Sequence, residues 1–289
     1  MQILLNGLIS GAAIALLAVA FQAVYLPTKV LFLGLAGIYA FAPFLTRFAL
    51  SMGLGWHLAI VLTVTACAFV SLLCGWFNHG PLARHHASDS AHLIASLGSY
   101  IVMVQAIAMI WGNGSKTLRT RIGAATHLSE LIVTDAQWIT LGVSGGLLLG
   151  FALLLVHTGL GLRLRALADN PTMFALFGYN VSRHRAFAFM MSGIFASAAS
   201  LVSAYDLGFD PHRGLHAVLL AVVAVIIGGQ SSFSGPVVGA VLLGVLRVQV
   251  VWYSSARWQE AATFGLLTLF LLLRPQGLLG RQTRLEATP

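Results

Sequence analysis

Apolar runs of about 20 residues recur along almost the whole chain, and this feature limits the fold more than any other. A helix rises about 1.5 Å per residue, so such a run spans the roughly 30 Å hydrocarbon core of a bilayer. Within that core each backbone polar group must be paired inside the protein, which a helix achieves by itself. The sequence therefore predicts an all-α polytopic membrane bundle, with residues 1–289 forming a single transmembrane domain.

The composition gives the same result without any motif. Hydrophobic residues make up 58% of the chain and charged residues 8%, and the mean hydropathy is +0.88. A soluble domain carries about 25% charged residues because water covers its surface. The net charge of +8 does not indicate nucleic-acid binding, since the basic residues lie singly or in pairs between apolar runs. Lipid is the partner that this composition predicts.

Nine apolar segments are candidate membrane spans. They are 3–26, 30–50, 57–77, 92–111, 137–157, 184–204, 216–229, 236–253 and 258–273. The segment 216–229 would cover only about 21 Å as a helix and breaks at the polar, glycine-containing residues 228–232. The sequence therefore predicts eight or nine crossings, depending on whether the broken pair counts as one span or two.

Arginines predict the orientation through the positive-inside rule. They cluster around the segment 158–185 and in the C-terminal tail 274–289. They are Arg163, Arg165, Arg183 and Arg185 in the first segment, and Arg274, Arg281 and Arg284 in the second. Both segments are expected to be cytoplasmic, and nine crossings then place the N-terminus outside.

Glycines at four-residue spacing predict that several helices pack closely in lipid. The stripes are Gly7 with Gly11, Gly142 with Gly146 and Gly150, and Gly235 with Gly239.

No segment of the sequence predicts a nucleotide site. Residues 112–117 read Gly-Asn-Gly-Ser-Lys-Thr, but a phosphate loop needs glycine directly before the lysine and again five residues earlier. Those two positions hold Ser115 and Ile110. We expect no catalytic residues and no cofactor in this chain, so energy for any transport must come from a partner.

Charges within the predicted spans are scarce. All eight acidic residues lie in loops or at span ends, which disfavours a proton-driven carrier, because such carriers keep a carboxylate in mid-membrane. Arg247 is the one clear intramembrane charge, and it either meets a substrate carboxylate or extends towards an interface. Histidines cluster at 79–92, but His85 and His86 point to different helix faces without nearby carboxylates or cysteines, so no metal site is predicted.

The segment 158–185 is longer than a simple turn requires. Its residues 162–177 are predicted to form a short amphipathic helix, interrupted near Asn170 and Pro171 and ended by Gly178. A helix of this kind at the cytoplasmic surface is typical of an element that docks into a partner.

Three segments together resemble the permeases of branched-chain amino acid ABC importers. Residues 160–166 (Leu-Gly-Leu-Arg-Leu-Arg-Ala) with 175–180 (Ala-Leu-Phe-Gly-Tyr-Asn) are similar to the coupling loop of that family. Residues 224–240, and the ending 272–281 with its Arg-Pro-Gln-Gly-Leu-Leu-Gly, are similar to two further family motifs. The order and spacing agree over about 159–281.

The resemblance implies one subunit of a heteromeric importer in the bacterial inner membrane. Its partners would be a second homologous permease, two ATPase subunits that bind ATP, and a periplasmic solute-binding protein. The ATPase-coupling loop would include Arg163, Arg165, Ala166, Asp169, Asn170, Ala175 and Gly178. A broken helix beside the pathway would include Gly228, Gly229, Ser231, Gly235, Pro236 and Gly239.

Two departures from the family pattern leave the cargo open. The early polar pattern of the family is replaced by Leu-Phe-Leu-Gly-Leu-Ala-Gly at 31–37, and Gly-Gly-x-Gly-Ser is replaced by Gly-Gly-Gln-Ser-Ser at 228–232. Branched-chain or related small amino acids are the first expectation. The alternatives are an ABC permease for urea, short amides or metal ions, a secondary carrier, and a membrane-embedded enzyme.

Overall fold

The computed structural model describes residues 1–85, 87–119, 125–128 and 131–280, with the backbone alone at 125–128 and 131. Within these ranges the helices are α1 (Gln2–Thr28), α2 (Leu35–Ser51), α3 (Trp56–Leu73), α4 (Gly80–Arg84), α5 (Asp89–Trp111), α6 (Asp135–His157), α7 (Gly159–Asp169), α8 (Pro171–Leu176), α9 (Val181–Leu207), α10 (Arg213–Gly228), α11 (Gly235–Tyr253) and α12 (Gln259–Leu273). A π-helical segment, Cys74–His79, joins α3 to α4, and a 3₁₀ turn, Ala256–Trp258, precedes α12.

A short hairpin interrupts the helical pattern between α5 and α6. Strand β1 (Ala125–Leu128) pairs antiparallel with β2 (Leu131–Thr134), with Ala125 opposite Thr134. Thr134 then caps α6 in a reciprocal arrangement with Gln137, which fixes where this helix begins.

Each predicted span corresponds to a helix. In the described ranges, six helical stretches are long and apolar enough to cross a membrane: α1, α3 with its continuation to Arg84, α5, α6, α9 and α11. The helices α2 and α10 are apolar but shorter, with 17 and 16 residues, and α12 has 15. The polytopic all-α class is confirmed.

The predicted broken helix consists of two separate antiparallel helices. Gly228 faces Gly235, and one turn further along each helix Ala224 faces Gly239, so α10 and α11 run in opposite directions. The chain reverses at Gly229, whose φ of +115° is available to glycine but not to most other residues. The pair therefore counts as two helices, and its polar connection lies at their ends rather than halfway along one span.

Helix α1 forms the centre of the bundle. Every residue from Ala15 to Val24 is at most 4% exposed, and the helix packs against α6, α9, α10 and α11. A helix that is apolar on all sides is expected to be surrounded by other protein segments or by lipid. Here protein surrounds the C-terminal half of α1.

Two of the three predicted glycine stripes are confirmed as close contacts. A Cβ atom on Gly7 would lie 2.8 Å from the Cα of Val245, and one on Gly11 would lie 2.8 Å from the Cα of Val241. On α11, Gly239 packs against the backbone of α10 in the same way. Small residues thus allow α1, α10 and α11 to approach backbone to backbone.

The prediction of close packing at Gly142, Gly146 and Gly150 is wrong within the described chain. A Cβ atom on any of them would meet no atom within 4 Å. The buried face of α6 carries Thr140 and Ser144 instead, and the glycines lie on the opposite side of the helix. That side borders a cavity of about 1000 Å³ between α3, α6 and α9.

The contact between α10 and α11 predicts a large effect of Gly239→Ala. The added Cβ would lie 2.7 Å from the amide nitrogen of Gly228 and would collide with the carbonyl oxygen of Ala224. Forcing an atom into a packed backbone contact costs roughly 1–3 kcal/mol. We expect a lower yield of folded protein in detergent and a melting temperature several degrees lower.

The matched control is Gly98→Ala on α5, where the new Cβ would meet nothing within 4 Å. Its yield and melting temperature should equal those of the wild type. Equal stability of the two variants would contradict the close contact at Gly239.

Candidate functional site

The sequence motifs that are far apart in the chain meet at one end of the bundle. The connection between α10 and α11 contacts the C-terminal segment 274–280 and the second half of α1. It also borders a cavity that α7 lines from the other side. We refer to residues 228–235 as the α10–α11 hairpin, and to this whole region as the junction.

The C-terminal segment is bonded to the end of α10 through its backbone. The amide of Leu278 donates to the carbonyl of Ile227 at 2.8 Å, and the amide of Leu279 donates to that of Gly228 at 2.9 Å. These bonds satisfy carbonyls that the end of a helix otherwise leaves unpaired. Gly277, with φ +76°, places its Cα so close to Gly229 that a side chain would not fit.

Gln22 on α1 holds the hairpin from the other side. Its Nε2 donates to the carbonyl oxygens of Gln230 at 2.8 Å and of Ser232 at 3.0 Å, and its side chain is fully buried. The hydroxyl of Tyr25 donates to Oε1 of Gln230 at 3.1 Å. Sequence reasoning missed Gln22, although an amide inside an apolar run is a signal for a buried polar contact.

The predicted interruption of the loop helix is confirmed. Helix α7 ends at Asp169, and Oδ1 of Asn170 accepts from the amides of Thr172 and Met173 to start α8. Pro171 occupies the first position of α8, where its missing N–H costs nothing. Gly178 follows the end of α8 with φ +81°.

Helix α7 is bound tightly to the end of α6. Nη2 of Arg165 donates to the carbonyl of Leu155 at 2.8 Å, and Leu164 and Leu167 are buried. A side chain at Gly161 would collide with the backbone of α6 at Leu155. The position of α7 is therefore set by α6.

A cavity of about 790 Å³ lies between α6, α7 and the hairpin. Its lining includes Arg165, Ala166 and Asp169 of the predicted coupling loop. Ser231 and Ser234 of the hairpin line it from the other side. Two groups that the sequence predicted independently thus share one space. Gly228, Gly229, Gly235, Pro236 and Gly239 shape the hairpin and its two helices instead.

The other predicted loop residues lie on the outer side of α7 and α8. The guanidinium of Arg163 stacks over the ring of Tyr179, 5.1 Å from its centroid. Ala175 and Gly178 are exposed. At the tip of α8 the apolar side chains of Leu176 and Phe177 are 75% and 80% exposed. Two large apolar side chains are thus exposed side by side at this tip.

Arg247 lies apart from this site, in the contact between α11 and α12. Its Nη1 donates to the hydroxyl of Thr263 at 3.1 Å, and its Nη2 donates to Oε1 of Gln259 at 3.4 Å. Gln259 donates in turn to the carbonyl of Arg247. These partners give the intramembrane charge a structural role, and contact with a substrate remains a prediction.

Two histidines near the loop 79–92 form a pair. The Nδ1 atoms of His79 and His92 lie 3.2 Å apart, and both rings are almost fully buried. Across the part of the chain that the structure describes, no group of three His, Cys, Asp or Glu side chains is arranged to hold a metal ion. His86, Arg281 and Arg284 lie outside the described residues.

A bundle of long apolar helices with a short surface helix beside a polar helical hairpin has the architecture of a polytopic integral membrane protein. Residues 3–273 match the family model described as branched-chain amino acid transport system / permease component. The chain belongs to this family.

Two of the similar proteins match the chain over nearly its whole length, and a third matches part of it. The high-affinity branched-chain amino acid transport system permease protein BraD of Pseudomonas aeruginosa is 24% identical, over 97% of this chain and 96% of its own. The corresponding protein LivH of Escherichia coli K12 is 25% identical over the same shares. The autoinducer 2 import system permease protein LsrC of Klebsiella pneumoniae is 27% identical over 63% of this chain and 54% of its own. No solved structure matches the chain.

The junction predicts a graded response to two substitutions in α1. Gln22→Leu removes the donor that two part-buried carbonyls share, and each lost hydrogen bond costs about 0.5–1.5 kcal/mol. Tyr25→Phe removes one exposed bond and should cost well under about 1 kcal/mol. We expect a large loss of thermal stability in the first variant and little change in the second.

Maleimide labelling of a cysteine introduced at Ser234 gives an independent measure of how firmly the hairpin is held. Labelling should be faster in the Gln22→Leu background than in the Tyr25→Phe background. Identical labelling rates would show that Gln22 does not hold the hairpin.

Proposed function

We propose that this permease subunit carries branched-chain or related small amino acids inward, driven by ATPase subunits that dock on α7 and α8. The observation that carries the proposal is the junction. The loop motif, the hairpin motif and the C-terminal motif are separated by up to about 120 residues in the sequence, yet they meet around α1.

The cargo is inferred from the family and from relatives whose names state branched-chain amino acid transport. One relative is instead named for autoinducer 2 import, so the same fold serves more than one small solute. The changed residues at 228–232 and the apolar residues at 31–37 make related solutes, including urea and short amides, the second candidates.

The topology that we propose has nine crossings, with the N-terminus outside and the C-terminus cytoplasmic. Helices α1, α3, α6, α10 and α12 then run inward. The contacts support it, because the end of α1 at Gln22, the α10–α11 hairpin and the segment after α12 all meet at the end of the bundle that carries α7. At the opposite end, Gln2 contacts Ile132.

Coupling to the ATPases would run through the exposed tip of α8. A docked ATPase would cover Leu176 and Phe177, and movement of α8 would pass to α7 through the capped turn at Asn170. Because Arg165 fixes α7 to the end of α6, the next element to move would be α6.

Further partners follow from the same proposal. A periplasmic solute-binding protein would deliver cargo at the outer end, and a second permease would complete the pathway. The glycines of α6 leave room for a close helix contact, because a Cβ atom added at Gly142, Gly146 or Gly150 would meet no atom of the described chain within 4 Å, and a helix of the second permease could occupy this space. Surrounding lipid would cover the exposed apolar faces.

Uptake of radiolabelled leucine tests the proposal. The assembled importer in vesicles should accumulate leucine only with ATP on the ATPase side and with the binding protein present. Unlabelled isoleucine and valine should compete, whereas urea and zinc should not. The permease chain alone should hydrolyse ATP only at background. Uptake of urea without leucine would change the assigned cargo, and hydrolysis by the isolated chain would overturn the subunit assignment.

Substitutions in the loop test the coupling route. Gly178→Val places a β-branched residue at φ +81°, which costs roughly 1–2 kcal/mol locally and misplaces the end of α8. Ala175→Asp adds a charge beside the exposed apolar tip. Both variants should fold but lose co-purifying ATPase and solute-stimulated hydrolysis.

The matched control is Gly159→Val at the start of α7, where φ is not positive and a Cβ would meet nothing within 4 Å. It should retain both the complex and the stimulation. Full coupling in Gly178→Val and Ala175→Asp would show that the ATPases bind elsewhere.

A further inference from the structure

A second cavity, of about 590 Å³, opens at the same end of the bundle as the junction. It lies between the end of α1, the π-helical segment Cys74–His79, α4, the first turns of α5 and the start of α9. We call it the cationic cleft. Its lining includes residues at the end of the segment 158–185, from Asn180 to Arg183 and Arg185, but no residue of the α10–α11 hairpin.

The cleft concentrates positive charge. Arg84, Arg183 and Arg185 line it, and no Asp or Glu is among its described lining residues. Within the described chain none of the three arginines makes an ion pair. Asp89, on the first turn of α5, lies outside the lining. Three guanidinium groups line one cavity without a counter-charge among its described lining residues, and an anion is the ligand that such groups pair with.

Buried polar atoms form the floor of the cleft. Nε2 of His79 and Nε of Arg185 are buried without a hydrogen-bond partner in the part of the chain that is described. The ring of His79 stacks on Phe189 and meets Phe32 edge-on, so ring contacts on two sides hold this side chain in place. The π-helical turn that ends at His79 is a rare conformation that is frequently found at functional sites.

One wall of the cleft is apolar and continues onto the outer surface of the bundle. Leu72, Trp76 and Phe189 line this wall. Trp76 is 64% exposed and its neighbour Phe77 is 71% exposed, and their rings lie 5.5 Å apart. Large aromatic side chains exposed at the end of a membrane helix are typical of the boundary between lipid tails and headgroups.

We propose that the cationic cleft binds the headgroup of an anionic phospholipid. The three arginines would pair with phosphate oxygens, for which the planar guanidinium is well shaped, and an acyl chain would lie along Trp76 and Phe77. Basic pockets between membrane helices on the cytoplasmic side bind such headgroups. An acidic segment of a partner protein would satisfy the arginines equally well, but it would not use an apolar wall that faces lipid.

Lipid retention by the purified full-length chain tests this assignment. After detergent exchange, the protein is incubated with phosphatidylglycerol or with phosphatidylcholine of the same acyl chains, and bound lipid is counted by native mass spectrometry. We expect stable binding of phosphatidylglycerol and little of phosphatidylcholine. Arg84→Gln and Arg183→Gln, both at exposed positions, should each lower phosphatidylglycerol retention about fivefold.

The matched control is Arg257→Gln, which removes an exposed arginine beside α12 outside the cleft and should leave retention unchanged. Equal retention of the two lipids, or unchanged retention in both cleft variants, would overturn the proposal. Displacement by glycerol phosphate at lipid-like concentrations would assign the cleft to a soluble phosphate ligand instead. Loss of the lipid on assembly with the ATPases, with weaker ATPase binding in the cleft variants, would assign it to a partner segment.

Discussion

Close approach of glycine backbones determines the arrangement of this protein, because apolar side chains gain little by moving from lipid to protein. Helix α11 reaches α1 where Gly244 meets Gly11, and it reaches α10 where Gly235 meets Gly228. At both places a side chain would strike backbone atoms. Dispersion and weak backbone contacts then replace the hydrophobic effect as the source of packing energy. The helices α1, α10 and α11 consequently form one block that carries the hairpin at a fixed position.

Hydrogen bonds at the helix ends add to the packing that the glycines allow. The block brings the carbonyls of Gln230 and Ser232 within reach of Gln22, and those of Ile227 and Gly228 within reach of the C-terminal segment. In a low-dielectric interior each unpaired carbonyl would cost more than it does in water. Two kinds of interaction therefore determine the structure of the junction: close packing along the helices, and hydrogen-bonded carbonyls at their ends.

Local features of the sequence predicted most of the elements. Hydropathy located every helix that corresponds to a span. Asn170, followed directly by Pro171, predicted the interruption between α7 and α8. The pairing of helices was harder to predict. Gln22 contacts a residue 208 positions away, and nothing local indicates that partner. The glycine stripe at Gly142 has the same spacing as the one at Gly239, but only the second makes a close helix contact. The sequence cannot distinguish them, because a helix face that meets lipid or another subunit is as apolar as one that meets a helix of the same chain.

This difference between the two glycine stripes also distinguishes a part of the bundle with close backbone contacts from a part without them. Helix α6 buries Thr140, Ser144, Phe151 and Leu155, but on its opposite side a Cβ atom added at Gly142, Gly146 or Gly150 would meet no atom of the described chain within 4 Å. Its end is bonded to α7 through Arg165, and the cavity of about 790 Å³ separates that end from the hairpin. Within the described chain, α7 is thus attached to a helix whose glycines make no close backbone contact, whereas the hairpin is attached to α1, α10 and α11, whose backbones touch. The space between α7 and the hairpin therefore lies between a closely packed block and a helix that no glycine contact ties to that block.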